Sequence, residues 1–124
     1  MKTNTLYISD LDGTLLASDG HISEKSRDIL NNVMKDGAKV SIATSRNLFA
    51  FDQRVSGVDF SIPVILNTGG CIYNCPTRHY DVISDIPFDS ALKLKTILDE
   101  NEIASFIYGL VDEELYLLYE GIFD

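Results

Sequence analysis

Ile8-Ser9-Asp10-Leu11-Asp12-Gly13-Thr14-Leu15-Leu16 is the stretch on which the reading of the whole chain turns. It starts at the end of an apolar run, Leu6-Tyr7-Ile8, which reads as a short buried strand. Asp10 and Asp12 are one residue apart, so side-chain alternation puts them on one face wherever the strand continues. Gly13 marks a turn there, which brings both acids to the mouth of the strand's carboxyl end. In open α/β sheets that mouth is where ligands bind. Two carboxylates so close need a cation or a proton to separate their roles. The economical arrangement has Asp10 ionised beside a hard metal ion and Asp12 carrying or relaying a proton. An ionised aspartate is also a competent nucleophile toward phosphorus. The plainer alternative is an Asx-turn, since Asp-Gly pairs are common turn formers.

Outward from this stretch, Ala17-Ser18-Asp19-Gly20-His21 is a polar loop and Ser23 is placed to cap a helix running to about Lys35. Ile22, Ile29, Leu30, Val33 and Met34 fall on one face at helical spacing, and Gly37 is the stop signal. Val40-Ser41-Ile42-Ala43 then reads as a second strand. A strand, helix and strand in this order form a right-handed unit with parallel strands. Their carboxyl ends share one edge, which brings Thr44 to the level of Asp10. Thr44-Ser45-Arg46 opens a second helix, roughly Asn47 to Val55. Hydroxyls and N–H groups at a helix start can hold an anion, and an ordinary N-cap is the alternative for Thr44-Ser45.

Pro63-Val64-Ile65-Leu66 reads as a third buried strand, followed by Asn67-Thr68-Gly69-Gly70. Cys71-Ile72-Tyr73 and Tyr80-Asp81-Val82-Ile83 flank a turn and predict a hairpin. Asp85-Ile86-Pro87 reads as a linker. Beyond it, Asp89 is placed to cap a helix through about Asn101 with Leu94, Ile97 and Leu98 inward. Ser105-Phe106-Ile107-Tyr108 and Leu115-Tyr116-Leu117-Leu118-Tyr119 read as antiparallel strands joined by an acidic turn.

Composition narrows the partners. The net charge is -9, with 19 acidic and 10 basic residues. Residues 1–62 hold 8 acids and 7 bases, whereas residues 63–124 hold 11 acids and 3 bases. Such acidity argues against nucleic acid and anionic membrane, while a phosphorylated ligand stays compatible if a metal ion dominates the local field. No apolar run reaches the eighteen or so residues of a membrane helix, and no signal-peptide core precedes the first strand, so a cytoplasmic protein is expected. Cys71 and Cys75 do not have zinc-site spacing and read as reduced thiols flanking the hairpin turn. His21 and His79 read as loop and strand-surface residues.

Asp10-Leu11-Asp12-Gly13-Thr14-Leu15-Leu16 resembles the first motif of the haloacid dehalogenase superfamily, DxDGT-L. Ile22-Ser23 before a helix, and Ala43-Thr44-Ser45-Arg46 ending the second strand, resemble the Cof-type branch of sugar-phosphate and related phosphatases. The resemblance implies an α/β fold: part of a doubly wound parallel, Rossmann-like core over residues 1–85, then the beginning of an α+β cap over residues 86–124. It implies a magnesium-dependent phosphomonoester hydrolase acting on a small phosphorylated metabolite such as a sugar phosphate. Asp10 would form an aspartyl-phosphate, and Asp12 would protonate the leaving oxygen and then activate water. Asp12, Gly13, Thr44, Ser45 and Arg46 would hold the phosphate, and Asp10 with the Asp12 carbonyl would hold Mg2+.

Ser45 stands where the family pattern T-G-R has glycine, and Thr68 where N-G-A has asparagine. The family's later lysine and its acidic G-D-x-x-N-D segment have no match after Asp85, because Lys93 and Lys95 fall within the expected cap helix. The expectation is therefore the N-terminal portion of a longer phosphatase, inactive or very weak alone. A short natural protein completed by a partner chain, or by a homo-oligomer covering the incomplete core, is the alternative. A sugar phosphomutase and a non-catalytic phospho-acceptor module are the competing functions.

Overall fold

β1 (Leu6–Ser9) and β2 (Lys39–Ile42) pair in parallel, with Ile8 opposite Ser41 and Ser9 opposite Ile42, and α1 (Glu24–Lys35) connects them. The computed structural model describes residues 4–119. α1 starts where Ser23 is extended and its Oγ accepts the Ser26 N–H at 3.1 Å, which satisfies one of the free donors of a helix start. It ends at Asp36, followed by Gly37 at φ 97°, a left-handed position natural to glycine. A parallel bridge between Ala43 and Ile65 joins β2 to β3 (Val64–Leu66), and α2 (Leu48–Arg54) lies between those two strands in the chain. β4 (Cys71–Asn74) and β5 (His79–Ile83) extend from β3 in antiparallel order. The mixed α/β architecture that the resemblance implies is the one the chain adopts.

Leu11, Ile42, Phe51, Val64 and Leu66 are the largest fully buried side chains, and Phe51 packs on Phe60 with ring centroids 5.7 Å apart. Ser41 is buried among them, and its Oγ donates to the Pro63 carbonyl at 2.7 Å, which offsets the cost of burying a hydroxyl. On the hairpin, Asn74 Nδ2 and His79 Nε2 both meet the Asp81 carboxylate, and the His79 Nδ1 side meets the Thr77 hydroxyl at 2.7 Å. This network pins the turn between β4 and β5. Cys71 is buried at the start of β4, Cys75 lies in the turn, and both thiols are free.

The chain divides into two compact units between Ser84 and Asp85. The second unit consists of α3 (Phe88–Glu100) and the hairpin of β6 (Phe106–Val111) and β7 (Glu114–Tyr119). Asp112 and Glu113 form its two-residue turn with φ of 50° and 66°, the left-handed pair whose twist matches a hairpin. Among the described residues, no helix is long and apolar enough to cross a membrane.

Several local expectations change. β1 is a strand but not a buried one: Leu6, Tyr7 and Ile8 are 51%, 54% and 52% exposed. Among the described residues β1 has a partner strand on one edge only, and the chain that follows it turns away. Tyr7 on one face and Leu6 and Ile8 on the other are all half exposed, so neither face of β1 is fully covered. On α1, Met34 is buried, but Ile29 and Val33 of the expected inward stripe are exposed. On α3, Leu94 and Ile97 are likewise exposed. Asp89 sits in the first turn of α3, where it complements the helix dipole, and the cap position is Pro87 with no side-chain bond. α2 is capped by Asn47, whose side chain accepts the Ala50 N–H at 2.9 Å. Thr44-Ser45 is therefore not a helix cap, and the start of α2 is closed by its own asparagine.

Candidate active site

The site is built from three chain reversals at the carboxyl ends of β1, β2 and β3. Past β1, the Ser9 carbonyl accepts the Ala43 N–H at 2.9 Å, which carries the parallel pairing one step beyond the strands. Leu11 is wholly buried, and its carbonyl accepts the N–H groups of Thr14, Leu15 and Leu16 at 3.0 to 3.2 Å. The leucine is thus a plug: its side chain goes inward, and Asp10 and Asp12 on either side of it are exposed. Gly13 follows at φ 74° with no atom within 4 Å of the place a Cβ would occupy. The backbone there is open to close approach by a ligand.

At the end of β2, Thr44 is buried and its N–H donates to the Ile65 carbonyl at 3.0 Å. The Thr44 Oγ1 accepts the Arg46 N–H at 3.2 Å, a bond that uses a lone pair and leaves the hydroxyl's donor capacity. At the end of β3, the Thr68 N–H donates to the Thr44 carbonyl at 3.1 Å and the Asn67 N–H to the Arg46 carbonyl at 2.9 Å. Asn67 and Thr68 reach these bonds only in left-handed conformations, at φ 52° and 56°. The Asn67 Nδ2 donates to the Cys71 sulfur at 3.0 Å and holds the turn from behind.

The Arg46 side chain closes the site across the first turn. Its Nε meets Asp12 Oδ2 at 2.8 Å and its Nη2 meets Asp12 Oδ1 at 2.6 Å, a two-pronged contact between residues 34 positions apart. The Arg46 hydrogen bonds and charge hold the Asp12 carboxyl below the usual carboxylate range, with Arg54 adding a smaller pull. Asp12 in turn raises the Arg46 guanidinium. Asp12 is therefore an ion-paired anion in this state, and while Arg46 holds it the carboxylate is opposed to taking up a proton. Asp10 takes a different environment: its Oδ1 accepts the Leu11 N–H at 2.7 Å. The two acids that the sequence places side by side are separated by what each one bonds.

Asp10, Asp12, Gly13, Thr44, Ser45 and Arg46 all come from these turns, with Ser45 exposed between Thr44 and Arg46. Thr68 joins them through its backbone. The buried role of Leu11 and the left-handed Asn67 were not foreseen. Alternation between two surface acids is a signal for the first, and an asparagine just past an apolar strand, a residue tolerant of positive φ, is a signal for the second. For a divalent cation, the oxygen donors at hand are the Asp10 carboxylate and the Asp12 carbonyl, a hard set that suits magnesium. Among the described residues no group of three acidic, histidine or cysteine side chains assembles.

A cleft of about 370 Å3 lies elsewhere, lined by Phe51, Asp52, Phe60, Tyr73, Cys75 and Arg78 among others. Because β4 runs antiparallel to β3, its Cys75 end lies at the edge away from Asp10 and Thr44. Desolvation raises the Asp52 carboxyl there, with Arg78 pulling it back, and pushes the Cys75 thiol up to about 11.

The profile of the haloacid dehalogenase-like hydrolase family matches residues 7–120. The chain is 37% identical over 69 residues to the 5-amino-6-(5-phospho-D-ribitylamino)uracil phosphatase YwtE of Bacillus subtilis, a match that takes in 56% of this chain and 23% of that one. A haloacid dehalogenase-like hydrolase from Bacillus subtilis superposes with a TM-score of 0.72 at 24% identity, over 98% of this chain and 40% of the other. A phosphatase of the haloalkanoate (HAD) superfamily from Bacteroides thetaiotaomicron superposes with a TM-score of 0.69 at 24% identity, over 90% and 40%. The chain thus spans about a quarter to two fifths of the length of these relatives.

Proposed function

Since the chain belongs to the haloacid dehalogenase-like hydrolases, we propose that its residues serve a magnesium-dependent phosphomonoester hydrolase that works through an aspartyl-phosphate on a small phosphorylated metabolite. The observation that carries this reading is the convergence of Asp10, Asp12, Thr44 and Arg46 on one edge of the sheet, tied by the Arg46–Asp12 contact and the backbone bonds between β1, β2 and β3. Asp10 is the nucleophile because it is the exposed carboxylate not engaged by an arginine, and attack on phosphorus needs a free anion. Asp12, two residues on, would take up a proton once Arg46 no longer holds it, pass that proton to the departing oxygen and then take one from water. The Thr44 hydroxyl, the N–H groups around open Gly13 and the Arg46 guanidinium are the donors for the phosphoryl oxygens. Magnesium, held by Asp10 and the Asp12 carbonyl, would offset phosphate charge when bound.

A sugar phosphate or sugar-alcohol phosphate is the substrate class we favour, supported by the phosphorylated ribityl compound in the name of the Bacillus subtilis relative. The full activity belongs to a catalytic unit in which a lysine and a further acidic group join these residues. Each missing preorganised charge contact costs on the order of a hundred- to a thousandfold in rate. Incubating the purified chain with a generic phosphomonoester and magnesium is therefore expected to give slow phosphate release that is absent in Asp10→Asn. Equal release by both proteins would remove Asp10 from the nucleophile role.

A further inference from the structure

We propose that Arg46 is a partner-exchange latch: in the ligand-free protein it is occupied by the Asp12 carboxylate, and an arriving phosphoryl group displaces that carboxylate and thereby sets Asp12 free. The inference rests on the phosphate-site reading above and adds to it a coupling between substrate arrival and the release of Asp12. The geometry is that of an arginine already holding an anion. Its Nε and Nη2 meet the two oxygens of Asp12 at 2.8 and 2.6 Å, the forked arrangement by which arginine recognises carboxylate and phosphate alike. One edge of the guanidinium is thereby used, and an anion that needs the same fork must compete for it.

The backbone of Arg46 cannot follow the exchange. Its N–H is tied to the Thr44 Oγ1 and its carbonyl to the Asn67 N–H, so only the side chains of Arg46 and Asp12 can move. Both have room to do so, because the Asp12 side chain is half exposed and that of Arg46 a quarter exposed. Gly13, beside Asp12, has nothing but its chain neighbours within 4 Å of its Cβ position, so the turn itself is uncrowded. Asp12 is thus an internal stand-in for the ligand. The pair keeps the acid pinned until the correct anion arrives.

The test uses inorganic phosphate as the probe, titrated into the chain and its variants by calorimetry and by the NMR signal of the Arg46 Nε–H. Asp12→Asn frees the fork and is expected to tighten phosphate binding about fivefold, the order at which exposed ion pairs act. It should also move the Nε–H signal toward its unpaired position before phosphate is added. Arg46→Ala should weaken binding about tenfold, and in that background Asp12→Asn should then change affinity less than about twofold. Arg46→Lys keeps the charge without the fork and should restore only part of the lost affinity. The latch is overturned if the gain from Asp12→Asn is as large without Arg46 as with it, since simple charge removal would then explain it. It is equally overturned if Asp12→Asn weakens binding. Saturable phosphate binding in no variant would overturn the phosphate-site reading and the latch with it. Far-UV circular dichroism of each variant separates a lost contact from a lost fold.

Discussion

Replacing Thr68 with glycine should make the first unit more stable, against the usual direction of a change to glycine. Thr68 sits at φ 56° and ψ 34°, in the left-handed region, and its side chain is exposed. A residue with a Cβ loses about 1–2 kcal/mol there, and branching at Cβ makes it worse. The substitution removes that cost and surrenders almost no packing. It keeps the backbone bond from residue 68 to the Thr44 carbonyl. Against this, glycine brings about 0.5–1 kcal/mol of extra unfolded-state entropy. The difference leaves a gain of about 0.5–1 kcal/mol. In amide exchange under conditions where the whole unit must open, protection at Ile42 and Val64 should rise about two- to fivefold. Those two amides report on the first unit alone, which a melt of the whole chain would not. Thr68→Asn, which tolerates the left-handed region, should match or exceed glycine. Lower protection in Thr68→Gly would refute the strain argument, and an equal gain in Thr68→Ala would assign the effect to branching instead of φ.

Leu11→Ala should cost about 2–5 kcal/mol and loosen the turn that carries both acids, because the leucine side chain is wholly buried; urea unfolding followed by circular dichroism checks it. Asp52→Asn should raise the melting temperature at pH 7 and leave it unchanged near pH 3. The folded protein holds the Asp52 proton more tightly than the unfolded chain, so stability is lost as pH rises through and above the ordinary value of 3.8, and asparagine removes that loss. Cys75, with its thiol pushed up to about 11, should be alkylated at pH 8 roughly a hundredfold more slowly than a thiol at 9.0, measured by mass spectrometry after a timed iodoacetamide pulse.

What could be read from the chain alone was whatever depends on neighbours in sequence or on handedness. Asp10 and Thr44 could be placed on one edge because a right-handed strand–helix–strand connection leaves parallel strands, and β1 and β2 are parallel in register. The hairpins could be read from apolar runs around turn residues. The exposure of Leu6, Tyr7 and Ile8 could not, since an apolar run states a preference for burial and says nothing of what is there to cover it. The Arg46–Asp12 pair joins positions 34 apart and depends on side-chain reach, which periodicity does not encode. Asn47 as the cap of α2 was hidden by Thr44 and Ser45 just upstream, both good capping types, and the outcome was decided by where β2 ends. The left-handed pair at Asn67 and Thr68 was masked because threonine is a poor advertisement for that conformation.

The parallel pairing of β1 with β2 has a kinetic side. The hairpins β4–β5 and β6–β7 close loops of a few residues, events of the microsecond range. Joining Ser9 to Ile42 requires a loop of more than thirty residues to close, and its entropy is lost before any contact rewards it. Asp10, Asp12, Thr44 and Arg46 come together only through that slow closure. Starting from the full unfolded chain, the hairpins therefore form first, and Asp10 and Asp12 meet Thr44 and Arg46 only afterwards.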